Sequence, residues 1–152
     1  MNIKKLLGYQ VLDSRGRPTV AVTITLSDGS LHTARVPSGA STGAHEAHEL
    51  RDAGTAKAES YYAGKSVYTA VENINSKIAP KLLGHSLNLA AIDGLLVEVD
   101  PTPGHQVIGA NATLATSLAV AKAAAHASGK SLARYFQPEG ALLLPMPMVN
   151  IL

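Results

Sequence analysis

The 152-residue chain predicts an α+β domain, a three-stranded antiparallel meander followed by a bundle of about four helices. Three observations predict it. Apolar residues alternate with small or polar ones in the first third, and they recur three and four apart in the rest. Composition adds the third: 46% of residues are hydrophobic but only 4% are aromatic, with no Trp and one Phe. The core is therefore built from Leu, Val, Ile and Ala, and Ala-rich helices in close contact are the solution this composition favours.

The strands come first. Val20, Val22, Ile24 and Leu26 alternate with Ala21, Thr23 and Thr25, the period of a strand with one buried face. Ser27-Asp28-Gly29-Ser30 supplies hairpin-turn residues, so Leu31 to Val36 returns as the next strand. Ile3 to Leu12 is an earlier strand, joined across Asp13-Ser14-Arg15-Gly16-Arg17-Pro18. That connection reads first as a turn stapled by Asp and Arg, with a carboxylate and guanidinium placed for chemistry as the competing reading. Beyond it, Val67, Val71, Ile74 and Ile78 share a helical face up to about Pro80. Asn88 can cap a second helix presenting Leu89, Ile92 and Leu96. Asn111 can cap a third through Leu114, Leu118, Ala121 and Ala125, and Ser131 opens a short fourth.

Charge and cysteine content exclude several function classes. Lys and Arg outnumber Asp and Glu by 13 to 11, scattered without a basic stripe or interleaved aromatics, so nucleic acid is not implied. The absence of Cys removes disulfides, thiolate catalysis and Cys-ligated zinc together and points to a cytoplasmic setting. At the amino terminus, Gln10, Asp13 and Arg15 follow too soon for a signal-peptide apolar stretch, and no run approaches a membrane span. Asn111-Ala112-Thr113 matches a glycosylation sequon but reads as a helix start. Leu142 to Leu152 is an apolar run that stops without a turn or a polar terminus. It suits a strand buried on both faces and is expected to be a cut one.

The segment most suggestive of function is Val36-Pro37-Ser38-Gly39-Ala40-Ser41-Thr42-Gly43-Ala44-His45-Glu46. Small residues and hydroxyls between two glycines make a poor core and a good closing loop. Ser41 and Thr42 offer oxygens and amides to a cation or phosphate, and Gly39 and Gly43 offer unusual backbone angles. Other motifs fail or stay local. Gly64-Lys65-Ser66 resembles the end of a Walker A loop, but its first glycine would fall at Glu59, so it reads as a loop glycine before a helix. His45 and His48 are three apart, not in the His-Glu-x-x-His arrangement; they read as a solvated first helical turn with Glu46 and Glu49 near its dipole, against a metal or phosphate role. His32, His85, His105 and His126 read as isolated surface or packing residues. No constellation of convergent carboxylates or a tuned Lys completes an active site.

Five collinear segments carry a resemblance. They are Val11 to Val20, Val36 to Gly43 with Glu46 to Asp52, and Gly64-Lys65-Ser66-Val67 with Ala70 to Asn75. Gly109 to Ala112 with Ser117 to Ala121, and Leu144 to Ile151, complete the set. Together they resemble the amino-terminal part of the enolases, the phosphopyruvate hydratases of glycolysis.

The resemblance implies a domain at 1–140, with 141–152 a linker and the truncated first strand of a carboxy-terminal α/β barrel. It also implies a magnesium-dependent lyase that dehydrates 2-phosphoglycerate to phosphoenolpyruvate. The catalytic acid and base are implied to lie in the barrel, none of them in this chain, which is expected to be inactive alone. By the same resemblance Gly39, Ala40, Ser41, Thr42 and Gly43 form the loop that closes over substrate, and Ser41 gives magnesium an oxygen ligand. Two positions depart from the family: Tyr9 and Ala21 stand where an Arg and a Glu commonly form charge pairs across a homodimer. The resemblance thus implies a homo-oligomer without its usual pairs. Ala53 to Ala63 reads as a loop insertion. The competing reading is a non-catalytic enolase-like binding module.

Overall fold

A computed structural model describes residues 1–39, 43–54 and 62–149. Strands β1 (Ile3–Leu12), β2 (Pro18–Leu26) and β3 (Leu31–Arg35) form the expected antiparallel meander in the order β1-β2-β3. Ile24 pairs with Leu6 on one side and His32 on the other, so the register keeps Val20, Val22, Ile24 and Leu26 on one buried face. The second face of β2 is also covered, since Thr19 and Ala21 are buried. The cover is partial, Thr23 and Thr25 on that face being half-buried, where alternation alone predicts a single buried face.

Both turns follow their residue chemistry. Asp13 Oδ1 accepts from the backbone N–H groups of Arg15 and Arg17, both at 2.8 Å, and Gly16 takes a left-handed φ of 71°. Gly29 does the same at 88° in the β2–β3 turn, where its N–H donates to Leu26 at 3.0 Å.

Five helices follow a short 3-10 turn at Tyr62–Gly64. They are α1 (Tyr68–Asn73), α2 (Ala79–Leu82), α3 (Leu89–Val99), α4 (Ala110–Ala127) and α5 (Leu132–Phe136). A π turn, Ile74–Ile78, joins α1 to α2, so the two make one continuous path and the bundle has the expected four members. That path passes Pro80 and ends at Leu82. The wide π turn comes just before Pro80, whose ring would otherwise press on the carbonyl of Ser76 and whose missing N–H would break the ladder.

Val67, Ile74, Ile78, Ile92 and Leu96 are buried as their spacing requires. Asn88 caps α3 by accepting from Ala91 at 3.1 Å, and Ser131 caps α5 by accepting from Arg134 at 3.2 Å. Helix α4 departs from expectation in two ways. Its cap is Gly109, with Asn111 inside the first turn, and Leu114 projects outward at 46% exposure. The face laid on β2 and β3 is instead Ala112, Ala115, Ala119 and Ala123, because methyl side chains let the helix approach the sheet closely.

The start of edge strand β1 is bonded to the backbone of Gly84 and His85, and its middle is closed by one side chain. Asn75, on the π turn, accepts from Gly8 N–H at 2.8 Å and donates to the Gly8 carbonyl at 3.0 Å, imitating one residue of a neighbouring strand. The approach is so close that a Cβ on Gly8 would lie 2.7 Å from Ile74 Cγ2. Beyond α5, residues 141–149 carry no regular secondary structure, and Leu143, Leu144, Met146 and Met148 are exposed. A strand there would need a neighbour to bond to, and among the described residues none lies beside it. No helix among the described residues is long and apolar enough to cross a membrane.

Gly8→Ala is expected to lower stability by about 1–3 kcal/mol, because the methyl meets the branched carbon of Ile74 and pushes β1 off Asn75. Urea unfolding of the variant beside the wild type measures it.

Candidate functional site

Of the loop residues singled out from the sequence, Ala40, Ser41 and Thr42 lie outside the described residues. Gly39 and Gly43, at the two ends, lie within them. The backbone of Gly43 is not left-handed and a Cβ there would meet nothing within 4 Å, so its conformation in this state does not require glycine. A turn holds it: the N–H of Gly43 donates to Glu46 Oε2 at 2.9 Å, and the N–H of Glu46 donates to the Gly43 carbonyl at 3.2 Å.

The amino-terminal end of the loop is clamped at Ser38 by two guanidinium groups from different elements. Arg15, in the β1–β2 turn, donates to the Ser38 carbonyl at 2.6 Å while its own charge sits 3.4 Å from Asp13. Asp13 is in turn held below the ordinary carboxylate pKa, first by the Arg17 N–H; burial opposes this, and the N–H and guanidinium of Arg15 add to the lowering. The turn reading of this segment is correct, and the Arg15 contact extends it. Arg51 donates to Ser38 Oγ at 2.9 Å, to Glu49 Oε1 at 2.8 Å and to the Pro18 carbonyl at 3.1 Å. It also makes a short hydrogen bond to the Lys65 carbonyl. One planar fork thus ties the loop stem to the start of β2 and to the segment before α1.

The segment 46–52 is not the helical turn expected at His45–Glu49; it runs as an irregular strap. Helical hydrogen bonds are replaced here by longer-range ones. His48 donates its N–H to Gly104 at 2.8 Å and accepts from Ala110 N–H at 2.8 Å. Asn111 accepts from Leu50 N–H at 3.2 Å and donates to the Leu50 carbonyl at 3.0 Å. This is why Asn111 does not serve as the helix cap. Gly109 is obligatory beside it: φ is 96°, and a Cβ would fall 2.6 Å from both Asn111 Oδ1 and Leu50 Cβ.

Asp52 ends the strap by capping α1, whose own N-cap residue, Val67, makes no side-chain capping bond. Fully buried, it accepts from the N–H groups of Tyr68 and Thr69, each at 2.9 Å, and from Thr69 Oγ1 at 2.6 Å. The loop glycine reading of Gly64 holds, with φ at 76° shortly before α1. Asp100 plays a parallel part in the 100–109 loop, accepting from Thr102 N–H at 3.1 Å, Val107 N–H at 3.0 Å and Ile108 N–H at 2.7 Å. Burial raises its pKa, but the hydrogen bond from the Thr102 hydroxyl first, and then those from the three N–H groups, outweigh it and hold the carboxyl below its ordinary 3.8.

Between the loop stem and the bundle lies a cavity of about 490 Å³, lined by Val36, Pro37 and Gly39 on one side and by Asp93, Leu96 and Leu114 on the other. Among the described residues, no cluster of three or more His, Asp, Glu or Cys side chains could hold a metal ion. His45 and His48 in particular do not make one. What the described residues do here is hold both ends of a loop. Tyr9 and Ala21 face each other across the β1–β2 ladder, where Tyr9 Oη bonds to Thr23 Oγ1 at 3.0 Å.

Sequence reasoning missed Arg51, Asp52 and Asn111 as anchors, since their partners lie 13 or more residues away. It also treated His32 and His126 as isolated, whereas their ring centroids are 4.7 Å apart.

Arg51→Ala is expected to cost about 2–3 kcal/mol by stranding Glu49 and two carbonyls. Arg51→Lys should recover only part, since an ammonium cannot span the same partners; denaturant titration compares them. For Asp100, a pKa lowered by folding means a contribution present above 3.8 and lost as pH falls through the lower folded value. Asp100→Asn should cost about 1–3 kcal/mol at neutral pH, and its deficit against wild type should shrink below pH 3.8, followed by unfolding across pH.

The meander, the bundle and the doubly clamped loop stem agree with one further finding. The family model of the enolase N-terminal domain matches residues 3–136, and the chain belongs to that family.

Proposed function

We propose that the chain is the loop-bearing amino-terminal domain of an enolase, a magnesium-dependent lyase of glycolysis that dehydrates 2-phosphoglycerate to phosphoenolpyruvate in the cytoplasm. The family match over residues 3–136 is the observation that carries this reading. In it, residues 1–140 are the domain, and the apolar 141–152 leads into the first strand of a carboxy-terminal barrel. Ser41 is the residue proposed to reach magnesium, with Gly39, Ala40, Thr42 and Gly43 as its loop. One neutral oxygen cannot offset the dehydration of magnesium, so the remaining ligands, the base and the acid are assigned to the barrel.

The part of the chain's own residues is positional. Arg15 and Arg51 hold Ser38, and Glu46 holds Gly43, so the loop between them is short and tethered at both ends. Fixed ends reduce the conformations to be given up when such a loop excludes water from a reaction. For the oligomer, we propose a homo-oligomer held by contacts other than charge pairs at positions 9 and 21. Tyr9 is engaged with Thr23, and Ala21 is buried.

With magnesium and 2-phosphoglycerate, residues 1–152 alone are expected to form no phosphoenolpyruvate, whereas the domain joined to an enolase barrel should turn over. Ser41→Ala in the joined protein should lower kcat by about tenfold to a hundredfold. Turnover by the 152-residue chain overturns the assignment of the chemistry to the barrel, and an inactive joined protein supports a binding module instead.

A further inference from the structure

A corner of the molecule remote from the loop brings together groups that the function above does not use. His32 lies on β3, on the core-facing side that also carries Ala34, and is half-buried; His126 lies in the last turn of α4 and is exposed. Their rings are tilted at 46° with centroids 4.7 Å apart. His32 Nε2 is 3.1 Å from Ser30 Oγ, which donates to Asp28 Oδ1 at 2.7 Å. Lys122, one helical turn before His126, donates to the Thr33 carbonyl at 2.9 Å. The charged and titratable groups at this seam are thus Asp28 from the β2–β3 turn, His32 from β3, and Lys122 and His126 from α4.

We propose that His32 and His126 form a pH-sensitive clasp that fastens edge strand β3 to the last turn of α4. With both rings neutral, they pack against each other and the seam carries one cation, Lys122, and one anion, Asp28. With both rings protonated, it carries three cations and the same single anion, and two imidazolium rings in contact repel. The strand is vulnerable to this, being an edge strand of five residues.

The electrostatics agree in direction. Burial, followed by the neighbouring His126, lowers the His32 pKa below its ordinary 6.5, and Asp28 opposes them more weakly. A histidine pKa lowered by folding means that the unfolded chain binds the proton more readily. Stability is then full above 6.5 and declines as pH falls through that value toward the lowered one.

The test is an NMR titration of the imidazole protons together with amide exchange protection along β3, measured near pH 7.5 and near pH 5.5, a range where histidine is the side chain whose charge changes. In the wild type, His32 should titrate below 6.5 and β3 protection should fall several-fold on acidification. In His126→Gln, whose altered residue is exposed, the His32 titration should move upward and β3 protection should fall less than in wild type, since burial of His32 remains. His126→Lys, with a permanent charge, should move the His32 titration further down and loosen β3 already at neutral pH. A His32 titration unmoved by either replacement, or a β3 protection that falls equally in wild type and His126→Gln, overturns the clasp.

Discussion

Backbone N–H and C=O groups have to be paired wherever they are shielded from water, and this domain meets that demand where no ladder is available. Its hardest case is the strap from Glu46 to Asp52, which is neither helix nor strand yet lies against the bundle. The strap solves it by borrowing partners: Gly104 and Ala110 for His48, the amide of Asn111 for Leu50, and Ser66 for the N–H of Asp52. In return it supplies two anchors, Arg51 to the loop stem and Asp52 to the start of α1. The position of the loop therefore depends on the strap more than on the sheet from which the loop departs.

The same device appears twice. An asparagine amide carries both a donor and an acceptor, so one side chain can satisfy one extended residue in full. Asn75 does this for Gly8 and Asn111 for Leu50, and each needs a missing Cβ to come close enough, at Gly8 in one case and Gly109 in the other. Alanine performs a related service along α4, where Ala112, Ala115, Ala119 and Ala123 bring a long helix down onto β2 and β3. A core with one Phe and no Trp is filled by proximity instead of by large side chains.

Much of the fold was legible from local pattern. The alternation from Val20 to Leu26, the turn residues around Gly29, the face running from Val67 to Ile78, and the caps Asn88 and Ser131 each rest on interactions spanning a few residues. The misreadings share one cause. Asn111 has the chemistry of a cap and sits near a helix start, but it was claimed by Leu50, 61 residues away. His45 to Glu49 has the composition of a first turn, but its backbone was claimed by the 104–110 loop. His32 and His126 have no sequence relationship at all and meet only because α4 crosses β3.

Residue order alone thus determined the elements, their succession and the family, since period, turn chemistry and motif succession are carried within short windows. Tertiary structure decided how the loop stem is held, which asparagine caps and which clasps, and which histidines touch. These are pairings between groups tens of residues apart, and short-range preferences are overruled whenever a distant partner satisfies a buried polar group better.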